Sequence, residues 1–225
     1  MKFTFYGQSC FQLELGGKKF LFDPFIAGNE LAKDVDINRI EADYILVSHG
    51  HGDHTADLIP IAKRTGALVI SNFEIITWLG QQGITNSHPM NFGSYDFEFG
   101  TLTYMQAQHS SSLSDGTYAG AAGGFILASD QGNFYYSGDT SLMLDMQLVP
   151  YYARVDVAIL PIGGNFTMNA KDALKASDFI QCNNIVGVHF DTFGYIKIDH
   201  EKAKKLFNDA GKKLLIPEIG ATYDV

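Results

Sequence analysis

His49-Gly50-His51-Gly52-Asp53-His54 puts three imidazoles and one carboxylate within six residues. The run before it, Tyr44-Ile45-Leu46-Val47-Ser48, is apolar and reads as a buried strand. Thr55 and Asp57 follow as candidate N-caps, and residues 58–64 have helical spacing. The cluster therefore falls where a strand ends and a helix is about to begin. Gly50 and Gly52 argue for a tight loop, because glycine weakens a helix and frees the backbone for sharp turns. Such a loop can aim several side chains at one point. Imidazole and carboxylate are ligands of zinc, and they also serve iron and manganese. A polar loop rich in His would share the composition, but the His-x-His-x-Asp-His spacing points to a metal site.

A chain of 225 residues fits one domain, or one domain built of two related αβ halves. Hydrophobic residues make up 46 %, with 17 Phe and 11 Tyr, enough for a sizeable core. A net charge of −9 disfavours nucleic acid as a partner. The lysines that gather after Lys171 lie at helical spacing among apolar residues, as on solvated helix faces. Cys10 and Cys182 form no Cys-x-x-Cys and no disulfide framework, which fits a reducing compartment. The opening Met1-Lys2-Phe3-Thr4 alternates like a strand and lacks the apolar core of a signal peptide. No run approaches the ~18 apolar residues of a membrane span. A cytoplasmic protein acting on a small molecule is expected, with a homo-oligomer left open.

Along the chain, residues 2–22 read as two strands broken by Gly16-Gly17, ended by Asp23-Pro24. Asp23 stands where it could orient a ligand histidine or cap a turn. Residues 27–38 read as loop and 41–48 as the strand that delivers the His cluster. Residues 58–64 read as a short helix and 67–71 as a strand. Asn72 would cap a helix over 73–82. His88, in Asn86-Ser87-His88-Pro89, reads as an exposed turn residue. A strand pair around Gly100 spans 97–108 and ends at His109, a second metal-type residue at a strand end. The Gly- and Ser-rich residues 110–124 read as a flexible rim. A hairpin over 124–137 ends at Gly138-Asp139-Thr140. Residues 155–160 echo 42–47, which is the sign of two related halves. Residues 161–168 form a loop, Asn169 would cap a helix over 170–181, and a strand over 185–188 leads to His189. Asp199 would cap a helix over 200–210 that carries His200 on its surface, and 214–216 is a last strand. Alternating strands and helices with polar residues at strand ends give an α/β fold.

The motif resembles that of the metallo-β-lactamase superfamily. Phe5-Tyr6-Gly7-Gln8-Ser9-Cys10-Phe11 and Leu21-Phe22-Asp23-Pro24-Phe25 resemble its small metal-dependent hydrolases related to ascorbate-6-phosphate lactonase. The likeness runs the length of the chain and implies a four-layer αββα sandwich. It also implies a binuclear site, with His49, His51 and His109 on one metal, Asp53, His54 and His189 on the second, and Asp139 shared. One or two divalent ions are expected: zinc first, manganese or iron as alternatives. Asp23 and Gln8 would stand behind the ligands. The family commonly has His where Gln8 stands, and Gln cannot titrate near neutral pH. Asp53 is the candidate for handling a proton. Residues 163–168, Asn165 among them, and Thr192 would line the substrate pocket. The activity implied is hydrolysis of a small anionic or ester-like molecule, a lactone or carboxylic ester first, by a metal-activated hydroxide. Phosphodiester or nuclease chemistry of the same fold is the alternative. A metal-binding protein without catalysis and an iron oxygenase complete the set.

Overall fold

The computed structural model describes residues 1–225, which divide into two compact units. The first comprises residues 1–91, 110–122 and 218–224. Its strands, numbered along the chain, are β1 (Lys2–Gly7), β2 (Cys10–Leu15), β3 (Lys18–Phe22), β4 (Tyr44–Leu46), β5 (Leu68–Asn72), β6 (Ser87–Met90) and the last strand, β14 (Thr222–Asp224). They form one sheet in the order β14-β1-β2-β3-β4-β5-β6. Pairing is antiparallel from β14 to β3 and parallel from β3 to β6. Helices α1 (Gly52–Thr55) and α2 (Leu58–Thr65) lie between β4 and β5, and α3 (Phe73–Gln81) lies between β5 and β6.

The second unit comprises residues 92–109 and 123–217, with Val225. Its strands are β7 (Gly93–Phe97), β8 (Gly100–Gln106), β9 (Gly123–Ala128), β10 (Phe134–Tyr136), β11 (Val157–Pro161), β12 (Asn184–Val188) and β13 (Lys213–Leu215). They run β13-β12-β11-β10-β9-β8-β7 across the sheet. The antiparallel part is β7 to β10, and the parallel part is β10 to β13. Helix α4 (Val149–Tyr152) precedes β11, α5 (Ala170–Ile180) links β11 to β12, and α6 (His200–Asp209) links β12 to β13.

The central parallel strands β4 and β11 are buried on both faces, so they read as continuous apolar runs. Tyr44-Ile45-Leu46 and Val157-Ala158-Ile159-Leu160-Pro161 are buried throughout. The helices bury one stripe: α2 turns in Leu58, Ile61 and Ala62, and α5 turns in Ala173, Ala176, Ser177 and Ile180. Asn72 accepts the Ile75 amide, Asn169 forms a reciprocal box with Asp172, and Asp199 accepts the Lys202 amide. These three caps stand where the sequence places them.

Several local readings are corrected. Residues 2–22 form three strands, because the chain also turns at Gln8-Ser9, with Gln8 in the left-handed region at φ 54°. The sequence offers no glycine at that turn; Gly7, just before it, also has positive φ. His88 belongs to strand β6, where His88 pairs with Ile70 and Pro89 with Ser71. Proline is tolerated there because β6 is the sheet edge. Asp53 and His54 sit on the one-turn helix α1 instead of an open loop.

Asp57 does not cap α2 with its side chain. Its buried carboxylate accepts the amides of Ile26 and Ala27 at 2.6 and 2.9 Å, while its own amide donates to the Pro24 carbonyl at 2.9 Å. The segment leaving β3 is thereby fastened to the start of α2. Asp57→Ala would strand the buried Ile26 amide and the part-buried Ala27 amide, and unmet buried donors cost about 1–3 kcal/mol each. A loss of about 2–4 kcal/mol is expected in equilibrium urea unfolding. Asp57→Asn, whose amide oxygen still accepts, should lose less.

Candidate metal centre

Strands of the parallel parts deliver Asp23, His49, Asp139 and His189 at their C-terminal ends, where open α/β sheets place their ligands, and the antiparallel β8 leads to His109. Asp23 follows β3 and His49 follows its neighbour β4. Asp23 lies in the left-handed region at φ 41° and is fully buried. A buried carboxylate has to be satisfied by donors. Asp23 accepts the Ser48 amide at 2.7 Å, the Ser48 hydroxyl at 2.6 Å, and faces His54 Nδ1 at 2.9 Å.

These bonds set the tautomers of two imidazoles. The single Ser48 hydroxyl proton goes to Asp23, so Ser48 Oγ can only accept from His49 Nδ1, 3.0 Å away. The His49 proton is therefore on Nδ1, and Nε2 carries the lone pair. Likewise His54 donates its Nδ1 hydrogen to Asp23, which in the neutral ring leaves the lone pair on Nε2. His49 Nε2 lies 3.0 Å from His51 Nδ1. The edge of a tetrahedral zinc site with bonds of 2.0–2.1 Å is ~3.3 Å, so these two nitrogens fit one cation. Asp23, His49 and His54 also each bring a ligand-type atom within 4.8 Å of the others. Beside them, Asp53 Oδ2 accepts from Gln8 Nε2 at 2.9 Å and lies 3.6 Å from His54 Nε2.

The loop over residues 110–122 packs on the His cluster within the first unit. Gly50 donates its amide to Ser111 Oγ at 3.2 Å, and Ser110 Oγ is 3.4 Å from His51 Nε2. A side chain at Gly50 would run into Ala119 Cβ and the Ser112 carbonyl, so the close approach requires glycine.

In the second unit, Asp139 follows β10 and His189 follows β12. Asp139 Oδ2 lies 2.9 Å from His189 Nε2 and 3.7 Å from His109 Nε2. One carboxylate oxygen thus faces two imidazole nitrogens. Thr140 Oγ1 accepts the Gln108 amide at 3.0 Å and donates to the Ser141 carbonyl, which holds His109 opposite Asp139. His189 has φ 55°, and its carbonyl oxygen fills the space that a Cβ of Gly163 would need. Asn165 is exposed at a loop tip with φ 56°, and Thr192 is half-buried three residues after His189.

The donor set in each unit, imidazole nitrogens with carboxylate oxygens and no thiolate, fits a divalent metal. Neither cysteine competes as a nucleophile, because both are buried and burial pushes both thiols up. Sequence reading passed over Ser48 and Thr140 as anchors. A lone hydroxyl beside a His or an Asp carries no periodic signal. Partners that orient metal-binding histidines are commonly worth roughly 10–100-fold in affinity. Asp23→Asn should lower metal affinity by about that factor in calorimetric titration, with the far-UV spectrum unchanged.

Residues 2–189 match the family model described as the β-lactamase superfamily domain. The chain is 52 % identical, over the whole of both chains, to a UPF0173 metal-dependent hydrolase of Christiangramia forsetii. Among solved structures it is similar to Igni18, a metallo hydrolase of Ignicoccus hospitalis. That match has 31 % identity and a TM-score of 0.88, and covers all of this chain and 98 % of the other. The metallo-β-lactamase fold protein YhfI of Bacillus subtilis matches at TM-score 0.75 and 17 % identity over 99 % of both chains, a likeness of fold alone. With this fold and the donors just described, the chain belongs to the β-lactamase superfamily, among its UPF0173 metal-dependent hydrolases.

Proposed function

We propose that this metal-dependent hydrolase cleaves small, uncharged carboxylic esters and lactones. In this reading His49, His51 and His109 hold one metal, Asp53, His54 and His189 hold a second, and Asp139 serves both. The observation that carries it is the Asp23–Ser48 bonding, which presents the Nε2 lone pairs of His49 and His54. Zinc suits these nitrogen and oxygen donors, with manganese or iron as alternatives. When bound, such metals polarise a carbonyl oxygen and lower the pKa of water toward ~7.

The chain's own residues do the rest. Ser48 Oγ accepts from His49 Nδ1 and Asp23 from His54 Nδ1, which turns both Nε2 atoms to the site. Gln8 donates to Asp53 Oδ2 and so holds the orientation of the carboxylate to which we assign proton handling. Asn165 and Thr192 offer an amide and a hydroxyl for the substrate's polar end. Two buried thiols with no disulfide fit a reducing cytoplasm.

Phosphodiester cleavage is the second reading, and charge argues against it. Residues 48–56, 108–122, 138–148, 162–169 and 189–196, which follow the site-bearing strands, contain no Lys or Arg. A nucleic acid, as a polyanion, is held by cationic side chains, so their lack here weighs most against a nuclease.

A panel of lactones, carboxylic esters and bis-aryl phosphates, run with zinc, manganese or iron and again with chelator, tests the reading. Ester or lactone turnover that chelator abolishes is the expected result. Turnover of phosphodiesters alone would overturn it, and turnover of nothing under any metal would leave a binding protein. His51→Ala should cut ester turnover by at least ~10³-fold with the fold intact by circular dichroism, as losing a nucleophile-generating ligand does. Full retained activity would remove His51 from the site.

A further inference from the structure

Two loops of the second unit rise from strand ends beside His189 and carry exposed aromatic tips. Residues 162–169, after β11, have a buried base: Ile162 donates its amide to Val188, Met168 donates to Thr140, and both side chains are buried. Gly164 closes the loop by donating to the Met168 carbonyl at 3.0 Å. Only the tip faces out, with Phe166 at 52 % exposure.

Residues 189–199, after β12, are built the same way. Asp191, at φ 64°, donates its amide to the Ile196 carbonyl at 2.9 Å and accepts the Ile198 amide at 2.9 Å. Its second oxygen meets His200 Nε2 at 2.6 Å, and the His200 ring stands edge-on to Phe190. His200, read from sequence as a surface residue, thus helps pin this loop. Ile196 is buried, while Phe193 and Tyr195 are 39 % and 79 % exposed. The tips meet: the Phe166 and Tyr195 rings have centroids 6.2 Å apart at 78°.

Single exposed aromatics need no explanation, but a preassembled pair on two rigid loops does. Its ordering cost is met before any ligand arrives. The 162–169 loop is bonded to Val188 and Thr140, next to His189 and Asp139, and the 189–199 loop begins at His189, so the pair and these two donors stand on one bonded frame. No Lys or Arg lies within residues 162–169 or 189–196. We propose that Phe166 and Tyr195, flanked by Phe193, bind an aryl or extended alkyl substituent of the substrate. This rests on the hydrolase reading above and narrows its substrates to apolar esters and lactones.

The test pairs kinetics with equilibrium binding on the metal-loaded protein. Phenylacetate and acetate share a carboxylate that metals can hold and differ by one phenyl ring. Phenylacetate should bind at least ~10-fold more tightly by calorimetry, the usual scale for apolar discrimination. Phe166→Ala with Tyr195→Ala should erase most of that ratio, while Tyr195→Phe should keep it, since the ring and not the hydroxyl is used. With phenylacetate and acetate esters as substrates, the double variant should raise KM for the aryl ester roughly tenfold more than for the acetyl ester and change kcat little. Equal binding of the two carboxylates, or an unchanged ratio in the double variant, would overturn the aryl site. Aryl-selective binding without turnover of any ester would overturn the hydrolytic reading and leave the aryl site standing.

Discussion

Asp23 is the constraint on which the donor cluster of the first unit depends. It is one buried carboxylate on a left-handed backbone, and it takes two bonds from Ser48 and one from His54. A non-glycine residue in that conformation costs on the order of 1–3 kcal/mol and persists only where its surroundings over-determine it. The surroundings are the parallel pairing of β3 with β4, the amide of Asp23 on the Leu46 carbonyl, and Asp57 gripping the segment just beyond. Packing thus supports a local conformation that propensity disfavours, and the carboxylate held there orients the rings of His54 and, through Ser48, His49.

Much of this was legible in the chain because it is local. The His-x-His-x-Asp-His spacing, the strand before it and the capping residues Asn72, Asn169 and Asp199 depend only on near neighbours. Other features depend on distant partners and gave no signal. The turn at Gln8 uses a residue whose side chain is bought into place by Asp53, far along the chain. Asp57 has the look of a helix cap, yet its carboxylate serves Ile26 and Ala27. His88-Pro89 reads as a turn, and only the availability of a sheet edge makes it a strand.

The short echo between residues 42–47 and 155–160 has a topological counterpart. Each falls on the first parallel strand reached after an antiparallel set, β4 in one sheet and β11 in the other. The same frame is used differently in the two units. After β4 the chain carries the His cluster. After β11 it carries Gly163, and Asp139 and His189 come from the flanking strands β10 and β12 instead. Gly163 is small where the His189 backbone passes, so its place in the frame is spent on letting a donor approach.

The edge position of β6 has a further result. A sheet margin with free amides is a template for a strand from another molecule, and such pairing leads to aggregation. Pro89, exposed near the end of this margin, has no amide hydrogen to offer. An incoming strand would find a gap in the ladder there, so the residue that hides the strand in the sequence also shields the protein from growing into fibres.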